Sequence, residues 1–400
     1  MCETGLGDSR LPSGLRIGID ASNLKRGGGV THLRELLNAL GGLSTEFGGA
    51  VVWAGRATIE QLPEGLAWLG KVHVAELDGP IARRLLWRRT GLPRLAEGSC
   101  DILFIPGGLP NPTRLPSVNM SRNMLPFESG ERQRYGFSYT RLRLEILRRL
   151  QLMAFRQADG LIFLSRHAKE AIEPLLHGGP KRVAIIPHGV DSRFMRLPST
   201  RTDRHESWTL DQPCRILYVS TVSPYKHQWN VVEAVRQLRD ERFPVRLDLV
   251  GGAHPPSLRR LERILQRVDP DGMYTAYRGL QPFGSIDRVY RDADVFVFAS
   301  TCENLPNILI EAMASGLPIA CSDREPMPEV LEDAGVYIDP ENPEDIASGL
   351  RTILTEHDLR REIASRAHRR ARDYTWPRCA QETMALLREV HSDAVSYERP

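Results

Sequence analysis

No uninterrupted apolar run in this 400-residue chain approaches the ~18 residues that a bilayer crossing demands. Met1 to Gly14 contain no apolar h-region, so no secretory signal is expected and the reading is cytoplasmic. The six cysteines (Cys2, Cys100, Cys214, Cys302, Cys321, Cys379) show neither CxxC nor Cys/His zinc spacing, which points to reduced thiols. No GxGxxG follows either candidate first strand, arguing against NAD-linked redox chemistry. No repeat of 20–50 residues is present. No nucleic-acid motif accompanies the basic stretches, so no nucleic acid is expected as a partner. Excess charge is also scarce: the net value is +3. That total hides an asymmetry. Residues 1–200 carry 27 Lys and Arg against 18 Asp and Glu, and the remainder carries 26 against 32. The basic front half is expected to meet something anionic.

Four hundred residues suit two domains. Buried-strand patterns at Leu15–Asp20, Ala50–Ala54, Ile102–Ile105, Gly160–Leu164 and Val183–Ile186 alternate with helical segments such as Val30–Leu40. The pattern restarts at Arg215–Ser220 and continues through Val245–Val250, Val295–Ala299, Pro318–Cys321 and Gly335–Ile338. The fold expected is α/β, two doubly wound Rossmann-like domains facing a cleft. Residues 1–191 form the first domain, 192–213 a linker, 214–375 the second domain and 376–400 a final helical segment.

The most informative segment is Glu303-Asn304-Leu305-Pro306-Asn307, continuing to Glu311. An apolar strand breaks off, a polar turn follows, and a helix begins with Pro at or near its first position. The free N–H groups of a helix start, with its dipole, favour an anion. Side chains lean toward a helix's N-terminus, so Glu311 leans back toward Glu303. Two carboxylates would repel a phosphate, so they fit better as acceptors for sugar hydroxyls. Lys226 follows the second domain's first strand, where a doubly wound fold opens its cleft and where an ammonium can meet a diphosphate. Taken alone it reads better as a solvated lysine on a turn; joined to the Glu303–Glu311 segment, the diphosphate reading is the better one. Cys302 fits better as a packed thiol than as a nucleophile, because no basic partner is evident.

These pieces resemble the retaining nucleotide-sugar glycosyltransferases of family 4 (group 1), which have the GT-B fold. Glu303 and Glu311 match the family's E-x7-E signature, and Lys226 its donor-phosphate lysine. Arg278-Gly279-Leu280, followed by Val289 to Val295, looks like its base-binding stretch. Ser165–Lys169 and Pro187–Asp191 match its landmarks before the linker, and Tyr374-Thr375-Trp376 resembles the start of a last helix that returns to the first domain.

The resemblance implies roles. Glu311 would bind the ribose hydroxyls and Glu303 those of the transferred sugar. Backbone groups at Asn304, Leu305, Pro306 and Asn307, with Lys226, would hold the diphosphate; Gly279 and Leu280 would lie against the base. Gly28 and Gly29 would let the first-domain loop approach the donor closely. Two departures stand out. Thr221 occupies the place of an Arg that family members commonly carry five residues before the lysine, and Arg122 or Asn123 stands where many have a catalytic-site His.

Asp292-Ala293-Asp294 mimics a metal-binding DxD, yet it precedes a buried strand and no further ligand lies nearby. A capping role fits better. No metal and no cofactor are expected, helix-end and lysine charge doing the neutralising. The basic surplus concentrates in Ile81–Arg89 and in Arg132–Arg156. The second stretch sets Leu142, Ile146, Leu150 and Met153 at helical spacing among seven arginines. That stripe reads equally as a core-facing seam or as a surface docking to anionic lipid.

The function expected is metal-independent transfer of a hexose, mannose- or rhamnose-like, from a nucleotide diphosphate sugar. The acceptor would be a glycan or lipid-linked hydroxyl in surface polysaccharide synthesis. The enzyme would be cytoplasmic and peripheral to the membrane. The alternatives are a nucleotide-sugar epimerase and a catalytically idle subunit of a glycan-assembly complex.

Overall fold

The computed structural model describes residues 14–25, 27–197 and 208–397, without the side chains of Phe283 and Tyr397. The first domain runs β1 (Arg16–Asp20), α1 (Gly28–Leu40), β2 (Gly49–Ala54), α2 (Arg56–Ile59), β3 (Leu69–His73) and α3 (Ile81–Ala96). It continues through β4 (Ile102–Ile105), β5 (Ser117–Met120), α4 (Ser129–Gln133), α5 (Tyr139–Gln157), β6 (Gly160–Phe163), α6 (Arg166–Ile172) and β7 (Arg182–Ile185). Its sheet is parallel, in the order 3-2-1-4-5-6-7.

The second domain runs β8 (Cys214–Val219), α7 (Gln228–Asp240), β9 (Val245–Val250), α8 (Pro255–Val268), β10 (Thr275–Tyr277) and α9 (Ile286–Arg291). Then come β11 (Val295–Phe298), α10 (Asn307–Ala314), β12 (Ile319–Ser322), α11 (Met327–Leu331), β13 (Val336–Ile338), α12 (Pro343–Thr355) and α13 (His357–Ala371). Its sheet is parallel too, in the order 10-9-8-11-12-13. Helix α14 (Trp376–Tyr397) closes the chain. The architecture is two doubly wound α/β domains.

Strands such as Ile102–Ile105 and Val295–Phe298 are buried at every residue, as parallel strands covered on both faces must be. Both sheets reverse direction at a switch point, between β1 and β4 and between β8 and β11. The carboxyl ends of strands at such points open a ligand crevice. Helix α14 returns to the first domain. Arg182 pairs with Asp393 at 2.8 Å, Arg388 with Glu46 at 2.8 Å, and Val390 packs over Gly160. The return passes beside the outgoing chain, where the Val190 N–H donates to the Tyr374 carbonyl at 3.0 Å.

Several local expectations are corrected. Gly28 and Gly29 lie in the first turn of α1, not in a loop before it, because Val30 and Thr31 N–H already bond the Gly27 carbonyl. The last helix begins at Trp376. Arg378 N–H bonds the Thr375 hydroxyl at 3.3 Å, and Cys379 N–H bonds its carbonyl at 3.1 Å. The core-facing reading of the α5 stripe fails. Leu142, Ile146, Leu150 and Met153 are exposed, while Leu144, Leu152, Ala154 and Phe155 face the sheet. Of the linker region, Ser192–Phe194 forms a short 3-10 turn and residues 198–207 lie outside those described.

Candidate functional site

Lys226 ends a tight turn after β8, and Glu303 follows β11, so the two flank the second sheet's switch point. Lys226 is 5 % exposed, and its ammonium pairs with a Glu303 carboxylate oxygen. Its Nζ lies 5.3 Å from the Tyr225 ring centre and 5.0 Å from that of Phe298, so aromatic faces hold the charge in place. His227 follows with φ 48°, a left-handed step that starts α7. Thr221 is exposed, its carbonyl accepting from the Gln228 amide at 3.1 Å. Cys302 is buried and its thiol is pushed well above the ordinary value by loss of water.

Helix α10 starts at Asn307 behind an extended Pro306, with no side chain capping it. Leu309 and Ile310 N–H bond the Pro306 carbonyl, which leaves the first N–H groups of the helix for a ligand. One and a half turns in, Glu311 Oε2 accepts from the Tyr290 hydroxyl at 2.8 Å. Burial, the dominant cause, outweighs that bond and nearby Arg193, raising the Glu311 carboxyl to about 7. Glu311 borders a narrow crevice with Thr31, Glu35, Asp191, Asn307 and Trp376, residues drawn from both domains.

On the first-domain side, the Arg122 guanidinium donates to the Gly28 carbonyl at 2.6 Å and abuts Gly29, where an added Cβ would lie 3.0 Å from Nη1. Its Nε is buried and unpartnered, and no carboxylate pairs with it among the described residues. Loss of water lowers it to about 10, so it stays cationic at neutral pH. Asn123 is exposed and its side-chain oxygen accepts from Leu125 N–H at 3.2 Å, a turn-forming contact.

The two halves meet at the Glu303–Asn307 turn. The Ser165 hydroxyl donates to the Asn304 carbonyl at 2.6 Å, and the Asn304 amide donates to the Ser121 carbonyl at 3.4 Å. His188 Nε2 lies 3.4 Å from the Leu305 carbonyl. Burial drives His188 down to about 4, so it is neutral here. A second bridge comes from Glu329 in α11, whose carboxylate accepts from Arg166 N–H at 2.6 Å and His167 N–H at 2.9 Å.

Lys226, Glu303, Asn304, Leu305, Pro306, Asn307 and Glu311 therefore gather around the β8–β11 switch point. From the other domain Ser121 meets Asn304, and its neighbour Arg122 is bound to Gly28 beside Gly29. Gly279 and Leu280 stand apart, at the carboxyl end of β10. Gly279 takes φ +64° and accepts from Gly251 N–H at 2.9 Å, and Leu280 is 80 % exposed. Asp294 serves as a strand cap: its carboxylate accepts from Arg215 N–H at 2.9 Å. Residue patterns alone did not single out Glu329, and gave Ser165 and Tyr290 no role beyond the stretches that contain them. Tyr290 lay inside the stretch matched to base binding, but its link to Glu311 spans 21 residues and has no local signature.

Residues 200–370 match the family described as "Glycosyl transferases group 1". The chain is 28% identical over 171 residues to O-antigen chain mannosyltransferase B of Escherichia coli, covering 42% of this chain and 44% of that protein. It is 24% identical over 261 residues to D-inositol 3-phosphate glycosyltransferase of Corynebacterium glutamicum (strain R), covering 60% and 59%. The chain thus spans about half the length of the curated relatives it matches. Over both domains it superposes on HepE of Anabaena, solved with UDP, with a TM-score of 0.69, 18% identity and coverage of 94% and 100%. The segment that matches group 1 glycosyltransferases therefore sits within a GT-B fold, and Lys226, Glu303 and Glu311 all lie inside it.

Proposed function

We propose that the chain is a retaining glycosyltransferase that moves a hexose from a nucleotide diphosphate sugar to a hydroxyl of a glycan or lipid-linked acceptor. The observation that carries this reading is the Lys226–Glu303 pair set against the uncapped start of α10. The ammonium and the helix end fit a diphosphate, while Glu303 and Glu311 fit sugar and ribose hydroxyls. In the step proposed, the bond from the anomeric carbon to the phosphate oxygen breaks, and the acceptor oxygen bonds to that carbon on the same face. The acceptor's proton passes to the leaving phosphate oxygen. The chain's own task is electrostatic, to stabilise the departing diphosphate. Because Lys226 is already matched by Glu303, while Arg122 has no acidic partner among the described residues, we assign Arg122 to the donor's anionic part together with Gly28 and Gly29. The O-antigen chain mannosyltransferase among the relatives supports a mannose-like sugar and surface polysaccharide synthesis.

Incubation with nucleotide sugars, with and without membrane extract, tests the reading. Acceptor-dependent nucleotide release is expected. Isomerisation without an acceptor would establish an epimerase instead, and no turnover with any donor would leave the idle-subunit reading. Lys226→Ala should lower kcat/KM by about 10³-fold; near-normal turnover would remove the lysine from the mechanism.

A further inference from the structure

We propose that the face of the first domain formed by α3, α5 and the turn before α5 is a docking surface for a membrane bearing anionic lipid headgroups. Ten of the 17 exposed large hydrophobic side chains of the described residues lie there. Phe137 is fully exposed, and Tyr139, Leu142, Ile146, Leu150 and Met153 follow it along one side of α5. Ile81, Leu85, Leu86 and Leu95 stand out from α3. A soluble helix normally turns such residues inward; here the inward positions of α5 are already filled by Leu144, Leu152 and Phe155.

The two helices share one face of the sheet. Both make rightward crossovers, β3 to β4 and β5 to β6, whereas α1 leads leftward from β1 to β2, so right-handed connections place α1 on the opposite side. Both also hold the segment between β4 and β5: Arg88 of α3 donates to the Pro110 carbonyl at 2.9 Å, and Asn119 joins the carbonyls of Leu109 and of Ala154 in α5.

Charge decides the occupant. The sequences of α3 and α5 contain ten arginines and a single acid, Glu145. Arg83, Arg89, Arg94, Arg143 and Arg156 are exposed and have no acidic partner among the described residues. A second copy of so basic a face would be repelled, whereas an apolar stripe flanked by unpaired arginines complements anionic headgroups over acyl chains. An open groove of about 620 Å³ between α4 and the start of α5 offers Arg132 and Arg141 beside Phe137 and Tyr139. It lies next to the cleft, since Arg134 reaches Glu341 of the second domain at 2.9 Å. The proposal deepens the lipid-linked acceptor reading but is measured without any sugar nucleotide.

The full chain is to be sedimented with vesicles of phosphatidylcholine alone or mixed with phosphatidylglycerol. Binding to the anionic vesicles at least about tenfold tighter than to neutral ones, and weakened by salt, is expected. The double variant Ile146→Glu/Leu150→Glu should lose about tenfold in vesicle affinity while keeping its thermal midpoint. Absent binding, or equal binding to both vesicles, would overturn the proposal. So would self-association in gel filtration that the double variant abolishes, because the face would then be a contact between copies.

Discussion

Glu311 holds its proton more tightly than an ordinary carboxylate, and that fixes how the site responds to pH. With its value raised to about 7, the ionised acceptor form, the one the proposed ribose contact would use, is a minority at pH 6 and a majority at pH 8. Nucleoside diphosphate affinity, followed by calorimetric titration, is therefore expected to rise about tenfold between those pH values. Glu311→Gln should bind more weakly and show no such rise; a slope that survives in the variant would place the titration elsewhere. The sign for stability is the reverse. Because the folded carboxyl sits above its ordinary value of 4.5, the folded chain binds the extra proton and loses stability as pH climbs from about 4.5 to about 7.

At the scale of elements, the Glu303–Asn307 turn was legible because its chemistry is local: a strand end, a proline and a helix start within a few residues. Edge strand β3 was missed because four of its five residues are exposed and its pattern is mixed. β5 was missed because four residues including a polar Asn119 do not read as a strand; the amide is satisfied only by the distant Leu109 and Ala154 carbonyls. The α5 stripe had the right period and an ambiguous direction, since two faces of that helix are apolar and only packing selects one. The α14 junction gives a sharp test. A Cβ on Gly189 would sit 2.2 Å from Trp376 N and 2.5 Å from the Thr375 carbonyl carbon, backbone atoms that cannot swing aside. Gly189→Ala is expected to cost about 3 kcal/mol in denaturant unfolding; a loss within experimental error would show that the junction yields.

Across the whole molecule, what no local pattern revealed is how the domains are held together. Ser165 reaches Asn304 across 139 residues and Glu329 reaches Arg166 across 163. Such pairings are set by the closed arrangement of the two sheets and carry no periodicity. Glu329→Ala removes two charge-assisted bonds to α6, a loss of about 2 kcal/mol across the seam. Small-angle scattering should then record a larger radius of gyration in the absence of donor. An unchanged radius would mean that the remaining contacts across the seam, at Asn304, Leu305 and Glu341, keep the cleft shut.

The crossing of Val190 and Tyr374 has a mechanical meaning. The chain leaves the first domain and comes back to it within one hydrogen bond of the same place, so the lobes are joined by two pins set close together, as in a door. A pair of pins permits a swing about the line through them and resists a twist across it. The Lys226 side of the cleft would thus approach Arg122 along an arc, and the reacting groups would return to one register at each closing.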